Sequence, residues 1–430
     1  MLAAVRRISL TGWIFIGMGA GILIGWLAPQ DFALGLKPLS ATFLRMIKSV
    51  VVPIIFGTLV IGIAGHGDDL KRIGRLAVKA ISYFWVMTTI ALVIGLAAGN
   101  LVKPGLGVRL PPPDPHAALP QPAPTTFAEF LEHVVPKSVV EAAANGEVLQ
   151  VVFWATLFAI ALTQVKGRPK EVMLGFAEGL MEVMFKFVAI VMKFAPIGVG
   201  AAMAVAVSHG GLGVLVNLGK LILTLYGALF VFGFIALLPA ALIARIPLRR
   251  FARSVKDPAL IAFSTTSSDA ALPLAMQRMV EFGVPKRIVA FVMPTGYSFN
   301  LDGSTLYLGV ASLFVAQAAG VHLSIGQQLF MMLTLLITSK GIAAVPRASL
   351  VVLAGTLTKF GLPLEGIAVI LGVDEVMDMA RTAVNLVGNC LATAVVGRWE
   401  GEMASTPSSS PDASAVEART PSRTPLPDTP

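Results

Sequence analysis

A line of polar residues inside the last long apolar segment constrains this chain more than any other feature. Asp374, Asp378, Arg381, Asn385 and Asn389 recur at spacings of three or four residues, so on a helix at about 100° per residue they share one face. We call these five residues the polar stripe. At about 1.5 Å per residue the stripe is about 22 Å long, most of a bilayer core. Charged side chains at that depth are costly unless they face protein or a water-filled cavity, so the stripe predicts a site for something polar and charged.

A second interpretation of the polar stripe is an ion pair between helices that only fixes their packing. One salt bridge uses one acid and one base. The stripe instead has two aspartates, one arginine and two carboxamides, with Thr382 at its edge. This surplus of polar groups favours a binding site.

The composition indicates a polytopic membrane protein. Of the 430 residues, 56% are hydrophobic and 13% are charged, whereas soluble domains carry about 25% charged residues. The single cysteine, Cys390, excludes a disulfide framework and a metal site built on cysteines. The net charge of +9 is distributed as membrane topology requires and does not indicate nucleic-acid binding.

Six segments before residue 257 are predicted to cross the membrane. Loops after the even-numbered segments are rich in Lys and Arg, and loops after the odd-numbered ones are poor in them, which predicts a cytoplasmic N-terminus. The first segment follows Arg6 and Arg7 without a cleavage site and is predicted to be a signal anchor. The segments are 11–28, 39–64, 80–101, 147–165, 172–207 (kinked at Pro196) and 212–244.

Three other stretches are predicted not to span, two between the third and fourth segments and one at the C-terminal end. A Pro-rich, solvated loop occupies 103–126. An amphipathic or broken piece follows near 127–144, and the Ser/Pro/Thr-rich end, 402–430, is predicted to be a disordered tail.

The pattern changes after residue 256. Residues 257–283 and 327–361 each have two apolar arms and an interrupted tip, and we predict two re-entrant helical hairpins that enter from opposite faces. Between them, 288–319 contains a Gly/Pro-interrupted stretch, which is tolerated at membrane depth only where it is buried or lines a cavity. Segment 364–399 carries the polar stripe. Paired interrupted segments of this kind indicate a midplane site in an inverted-repeat transporter.

The polar groups favour an acidic amino acid and a cation as ligands. The planar fork of Arg381 suits a carboxylate, and Asp378 and Asn385 suit an amino-acid head. Asn300 and Asp302, together with Asn389 of the stripe, are hard oxygen donors fit for Na⁺. Buried carboxylates are also candidate carriers of a coupled proton.

Simpler interpretations exist for two of these clusters. The Ser/Thr run at 264–268 is also typical of hydrogen bonds between neighbouring helices. Asn300 and Asp302 also suit the capping of a helix break.

Four motifs resemble the glutamate/aspartate transporter family, the dicarboxylate/amino acid:cation symporters, in its bacterial proton/sodium-glutamate symporter type. The resemblance covers about residues 8–401. The motifs are Ser264-Thr265-Thr266-Ser267-Ser268, Pro294-Thr295-Gly296-Tyr297-Ser298-Phe299-Asn300-Leu301-Asp302-Gly303, Ser339-Lys340-Gly341-Ile342-Ala343 with Val345-Pro346, and Asp378-Met379-Ala380-Arg381-Thr382-Ala383-Val384-Asn385.

The resemblance implies an all-α polytopic membrane protein with eight transmembrane helices, two re-entrant helical hairpins and inverted repeats. It further implies an elevator-type transporter that is a homotrimer, with a scaffold and a moving transport domain. The implied divisions are 1–77 (scaffold helices 1 and 2), 78–102 (helix 3, transport domain), 103–208 (extracellular Pro-rich loop, scaffold helices 4 and 5), 209–255 (helix 6, transport domain), 256–401 (transport core) and 402–430 (cytoplasmic tail).

The resemblance also implies two sets of site residues. In the substrate set, Arg381 would bind the side-chain carboxylate and Asp378 the α-amino group, and the hairpin tip near Val345 would close the outer gate. The rest of the substrate set is Thr382, Asn385, Ser267, Ser268 and Arg347. The cation set, where Na⁺ would bind, is Gly296, Asn300, Asp302, Asn385, Asn389, Thr88 and Thr89.

Departures from the family pattern bear on substrate and ion. The presence of both Asp378 and Arg381 favours an acidic amino acid, with a C4-dicarboxylate as the alternative. Asn389 stands where strictly Na⁺-coupled members tend to have Asp, which leaves coupling by Na⁺, H⁺ or both open. Arg347 stands where relatives tend to have Gly. We hypothesise that it supplies a cation over the substrate, the alternative being that it faces solvent.

The resemblance implies a symporter that imports glutamate or aspartate, with no enzymatic activity and no cofactor beyond the coupling ion. The implied location is the bacterial inner membrane with both termini cytoplasmic, and no nucleic-acid partner is expected. Two other classes compete: a channel, and an intramembrane aspartyl protease using Asp302 and Asp374, whose Gly-x-Gly-Asp context is absent.

Overall fold

Long apolar segments inside a bilayer find no water there, so their backbone groups must form hydrogen bonds with each other, which favours helices. The computed structural model describes residues 10–65, 70–108, 110, 135–145, 148–341 and 348–403, and within these ranges it contains helices and no strand. The α-helices in chain order are α1 (Leu10–Leu27), α2 (Gln30–Leu34), α3 (Lys37–Ser49), α4 (Val51–Ala64), α5 (Leu70–Val102), α6 (Val139–Asn145), α7 (Val148–Gln164), α8 (Arg168–Met192), α9 (Ala195–Gly210), α10 (Gly213–Phe232), α11 (Leu238–Ile243), α12 (Leu248–Thr265), α13 (Ser268–Phe282), α14 (Lys286–Phe299), α15 (Asp302–Ala318), α16 (Ile325–Thr338), α17 (Ala348–Lys359), α18 (Glu365–Leu371) and α19 (Asp374–Trp399).

Two of the predicted spans are divided by proline. The predicted segment 39–64 is α3 followed by α4, because Pro53 has no amide hydrogen for the Ser49 carbonyl and its ring crowds that carbonyl. The predicted segment 172–207 is α8 followed by α9, bent by 51° just before Pro196. A kink at this proline was predicted, and the bend agrees with it.

Helix α5 begins earlier than its apolar pattern predicts. It has 33 residues and starts at Leu70, whereas the prediction was 80–101. The added turns are basic. Arg75 and Lys79 bind the Glu400 carboxylate at 2.7 and 2.6 Å, so ion pairs beyond the end of α19 stabilise an extension that hydropathy does not predict.

Three described helices are long and apolar enough to cross a bilayer unaided. They are Arg75–Val102, Gly213–Ile243 and Asp374–Trp399, and the bent pair α8 and α9 would make a fourth. In the second of these, a π-helical turn at Gly233–Leu237 joins α10 to α11. Other predicted spans are shorter apolar helices or are broken within the described ranges. Counted by length alone, the spans in these ranges are therefore fewer than the eight predicted.

The first predicted hairpin is present as two helices with a sharp turn. Helices α12 and α13 pack against each other and against α19. Thr266 adopts a left-handed φ of 51° at the turn, and the Ser267 side chain accepts from the Ala270 amide at 3.4 Å as an N-cap. The first arm begins at Leu248, nine residues before the predicted start at 257.

The other interrupted segments also form paired helices. The predicted broken helix is α14 and α15, separated by Asn300 and Leu301. The second hairpin is α16, a 3₁₀ turn at Ser339–Gly341, and α17. Residues 342–347 of its tip lie outside the described ranges.

The last predicted span is not one helix. Segment 364–399 is divided into α18 and α19 by Gly372 and Val373. Glycine is a poor helix former, and the break places Asp374 in the first turn of α19, where its charge complements the free backbone amides. Prediction of a single helix from 364 was therefore wrong.

Helix α15 lies at the centre of this assembly. Its residues from Asp302 to Ala316 are all buried, and it packs against α5 and α19. The contact with α5 depends on Gly95, where an added Cβ would lie 2.4 Å from the Leu306 carbonyl oxygen. This close approach brings the middle of α5 to the break between α14 and α15.

Candidate functional site

The polar stripe lies on one buried face of α19. All five stripe residues and Thr382 are at most 5% exposed, and Arg381 is fully buried. The stripe faces protein, as its cost at membrane depth requires.

Arg381 lies between two carboxylates of its own helix. Its Nε donates to Asp378 Oδ1 at 2.7 Å, and its two Nη atoms donate to the Asp374 carboxylate at 3.0 and 3.3 Å. The guanidinium carbon lies 4.2 Å from the centroid of the Tyr307 ring. These ion pairs form within α19, so they orient the guanidinium and do not join two helices as the packing interpretation requires.

Asp378 and Thr382 continue this arrangement along the helix. The Thr382 hydroxyl donates to Asp378 Oδ1 at 3.2 Å, the same oxygen that accepts from Arg381. Asp374, Asp378 and Arg381 together carry a formal charge of −1. This trio offers both a cation for a carboxylate ligand and a carboxylate for an ammonium ligand.

Asn385 joins the stripe to the start of α15. Its Oδ1 accepts from the Gly303 and Ser304 amides at 2.8 and 3.2 Å, and its Nδ2 donates to the Ser304 hydroxyl at 3.0 Å. The first amides of a helix have no partner within it, so the Asn385 side chain acts as a cap supplied by another helix.

Asn300 and Asn389 meet at the break between α14 and α15. Amide orientations are assigned from hydrogen-bond networks. In one orientation Asn300 donates to Asn389 Oδ1 at 3.1 Å, and in the other it donates to both Asp302 carboxylate oxygens at 3.2 Å. Asn389 also packs on Gly296, where an added Cβ would lie 2.2 Å from its Oδ1. The structure thus brings four of the predicted cation residues together.

Thr88 joins this group and Thr89 does not share its contacts. The Thr88 hydroxyl is fully buried and donates to Asp302 Oδ1 at 3.5 Å. The Thr89 hydroxyl donates instead to the Trp85 carbonyl of its own helix at 2.8 Å.

Lys340 is the main residue here that neither predicted site set includes, although it lies in the third motif. Its Nζ donates to the Thr88 hydroxyl at 2.6 Å and to the Phe299 carbonyl at 2.8 Å. An ionisable residue inside an apolar hairpin was the available signal. Tyr307, whose ring lies under the Arg381 guanidinium, carried no such signal because an aromatic residue in an apolar helix is ordinary.

The tip of the first hairpin packs on α14. Ser268 is buried, and its carbonyl accepts from the Tyr297 hydroxyl at 3.1 Å. Ser267 is half-buried and caps α13. Val345 and Arg347, predicted for the second tip, lie outside the described residues.

Known proteins resemble this chain over nearly its whole length. The profile of the sodium:dicarboxylate symporter family matches residues 10–399. A proton/sodium-glutamate symport protein of Geobacillus stearothermophilus is 41% identical over 409 residues, 93% of this chain and 96% of the relative. A proton/glutamate-aspartate symporter of Bacillus subtilis (strain 168) is 44% identical over 391 residues, 90% of this chain and 94% of the relative. A C4-dicarboxylate transport protein of Rhizobium leguminosarum is 41% identical over 400 residues, 91% of this chain and 88% of the relative. The profile match over residues 10–399 and these identities show that the chain belongs to the sodium:dicarboxylate symporter family.

Proposed function

We propose that this protein is a secondary active symporter that imports glutamate or aspartate together with H⁺, Na⁺ or both. The observation that carries the proposal is the fully buried Arg381 held between Asp374 and Asp378. A guanidinium fixed in this way presents a directed donor to a carboxylate, and Asp378 remains within reach of an ammonium group.

Substrate binding is proposed to exchange partners within this trio. The side-chain carboxylate of the substrate would take the Nε edge of Arg381, and its ammonium group would take Asp378, with Thr382 holding the Asp378 carboxylate in place. Asp374 would keep the guanidinium oriented from the other side. When the Arg381–Asp378 pair opens, Arg381 would pair with the substrate carboxylate and Asp378 with the substrate ammonium group. No buried charge is then left without a partner, which would be costly.

The charge of the site supplies a reason for cation coupling. Asp374, Asp378 and Arg381 have a formal charge of −1, and an acidic amino acid brings a further −1. Two negative charges in a buried, low-dielectric site repel each other strongly. Cations that bind together with the substrate, at the Asp302, Asn300 and Asn389 group, would offset this repulsion.

The finer architecture is part of the same proposal. We infer eight transmembrane helices with two re-entrant hairpins, an elevator movement of the transport domain, and a homotrimer in the bacterial inner membrane with cytoplasmic termini. The packing of both arms of the first hairpin and of the broken helix against α19 supports a transport core that moves as a unit.

A C4-dicarboxylate:cation symporter is the alternative function. Its support is the relative named as a C4-dicarboxylate transport protein, at 41% identity. Asp378 distinguishes the two, because a C4-dicarboxylate has no ammonium group to pair with this carboxylate.

The test is uptake of labelled glutamate into proteoliposomes under separately imposed Na⁺ and pH gradients, with unlabelled aspartate or succinate as competitor. We expect accumulation against a gradient that aspartate blocks at far lower concentration than succinate. Stronger competition by succinate would favour the C4-dicarboxylate function. Equilibration without accumulation would indicate a channel, and no uptake of either substrate would contradict the proposal.

A further inference from the structure

Lys340 is a buried ammonium group at the base of the second hairpin tip. The residue is 6% exposed, and its Nζ donates to the Thr88 hydroxyl and the Phe299 carbonyl at 2.6 and 2.8 Å. The same nitrogen lies 5.7 Å from the centroid of the Trp85 ring. Asp302 supplies an opposite charge nearby, through its contact with the same Thr88 hydroxyl. A charge at this depth requires such contacts.

The oxygens around this nitrogen are those that suit a hard monovalent cation. Thr88 supplies a hydroxyl, and through its 3.5 Å hydrogen bond it is joined to the Asp302 carboxylate. Phe299 ends α14, so its carbonyl lies among those without a partner in the helix. Carboxylate, hydroxyl and unwound carbonyl oxygens are the donors by which transporters bind Na⁺.

These oxygens are of the kind that binds Na⁺, but they already bind the Lys340 ammonium group. Hydrogen bonds of 2.6 and 2.8 Å from Nζ direct the Thr88 and Phe299 oxygens at the ammonium. A mobile cation on the same oxygens would lie within a few ångströms of a like charge, where repulsion in a buried site is strong. The side chain of Lys340 and a Na⁺ ion therefore compete for one position.

We propose that the Lys340 ammonium is a tethered cation that takes the place of a mobile Na⁺ at the Asp302–Thr88–Phe299 position. This inference deepens the proposed function and rests on it, because it assigns one of the cation positions of the symporter to the protein itself. The protein then takes up one Na⁺ fewer per substrate than a relative with an uncharged residue here. Any mobile Na⁺ then binds at the other oxygens of the proposed cation group, those of Asn300 and Asn389, and not at the oxygens that Lys340 contacts.

The test compares Lys340→Met and Lys340→Gln with Lys220→Met in the full-length protein. Lys220 is an exposed lysine of α10, so its substitution makes the same change in net charge away from the site. Thermal unfolding is measured in detergent while NaCl replaces choline chloride at constant ionic strength. A ligand that binds the folded state raises Tm in proportion to the logarithm of its concentration.

We expect the Lys340 variants to gain a Na⁺-dependent rise in Tm beyond that of the unsubstituted protein, with half-saturating Na⁺ lower by on the order of tenfold or more. The variants are expected to be least stable in choline, where Asp302 lacks its tethered partner. Lys340→Met/Asp302→Asn should lose the gained response, and Lys220→Met should behave as the unsubstituted protein. Equal Na⁺ increments in all of these proteins would overturn the proposal, as would Lys340 variants that Na⁺ fails to stabilise.

A second readout separates this inference from the function it rests on. Binding of ²²Na⁺ to the purified variants needs no substrate transport, and we expect one additional site per chain in Lys340→Met. If the unsubstituted protein fails to transport glutamate, the proposed function fails while this binding result still stands. If transport succeeds and no site is gained, only the tethered-cation proposal fails.

Discussion

At the scale of single residues, Asp378 is the group that we propose distinguishes an acidic amino acid from a dicarboxylate. Its Oδ1 accepts from Arg381 and from Thr382 in this structure, whereas Asp374 binds the two outer nitrogens of the guanidinium. Asp378 is thus the carboxylate that can leave Arg381 without releasing the arginine. On this proposal, loss of its charge is expected to weaken binding of a substrate with an ammonium group more than binding of a substrate without one.

We therefore expect Asp378→Asn to lower apparent glutamate affinity by on the order of a hundredfold or more, because removing one partner of a buried pair costs about 3–5 kcal/mol. Succinate affinity should fall much less. The measurement is competition for uptake in proteoliposomes, with the exposed Asp257→Asn as the matched control. An equal loss of affinity for glutamate and for succinate would show that Asp378 does not bind the ammonium group.

Arg381→Lys tests whether the fork of the guanidinium matters or only its charge. Lysine cannot bond both Asp374 oxygens and Asp378 with one fixed geometry, and the guanidinium contact over the Tyr307 ring would be lost. We expect glutamate uptake to fall at least about a hundredfold, as for loss of bidentate buried contacts. Near-normal uptake with unchanged Tm would mean that a point charge suffices.

At the scale of elements, a close backbone contact positions two of the predicted cation residues, Thr88 and Asp302. Thr88 reaches Asp302 because α5 approaches α15 at Gly95. We expect Gly95→Ala to destabilise the protein by about 1–3 kcal/mol, as overpacking does. Gly219→Ala is the matched control, since an added Cβ there meets nothing within 4 Å. Thermal unfolding should show a lower Tm for the first variant alone; equal Tm values would contradict the close approach.

Glu400 connects the end of α19 to the basic start of α5. Hydrogen bonds from Lys79 and Arg75 lower the pKa of Glu400. A lowered pKa stabilises the folded state fully above the ordinary glutamate pKa of about 4.3, and this contribution is lost as pH falls through the lowered value. We expect Glu400→Gln to cost about 1 kcal/mol at neutral pH, in the range of partly exposed ion pairs.

This cost should disappear in acid, where the carboxyl group of the unsubstituted protein is also neutral. Tm measured against pH for the two proteins checks it. A difference in Tm that persists in acid would assign the effect to packing of the side chain and not to its charge.

Whole-molecule features followed from the sequence to different degrees. Helical class, both hairpins and the break at Asn300 were predictable, because hydropathy and the Gly/Pro interruptions report local preference. The early start of α5 was not predictable from hydropathy, since ion pairs stabilise it. The break at Gly372 was missed although a glycine inside the segment was a local signal. The site followed in part: spacing alone puts the stripe on one face, but only folding brings Lys340 beside Thr88, 252 residues away.

The charge of the whole transport cycle leads to a further prediction. Asp302, Asp374 and Asp378 with Arg381 and Lys340 sum to −1, and glutamate adds −1. If at least two cations accompany each substrate to offset this charge, net positive charge enters. We expect an inside-negative potential, imposed with valinomycin and a K⁺ gradient, to speed glutamate uptake. A rate that is independent of potential would mean that one cation suffices.

The cap that Asn385 places on α15 has a consequence for energetics. The Asn385 side chain belongs to α19, which carries Arg381, and bonds the start of α15, which begins with Asp302. A displacement of one helix therefore changes the position of the other. Two sites that share such a bond are expected to influence each other's occupancy, and that influence is reciprocal at equilibrium. If a bound cation raises the affinity for glutamate by some factor, bound glutamate must raise the affinity for the cation by the same factor.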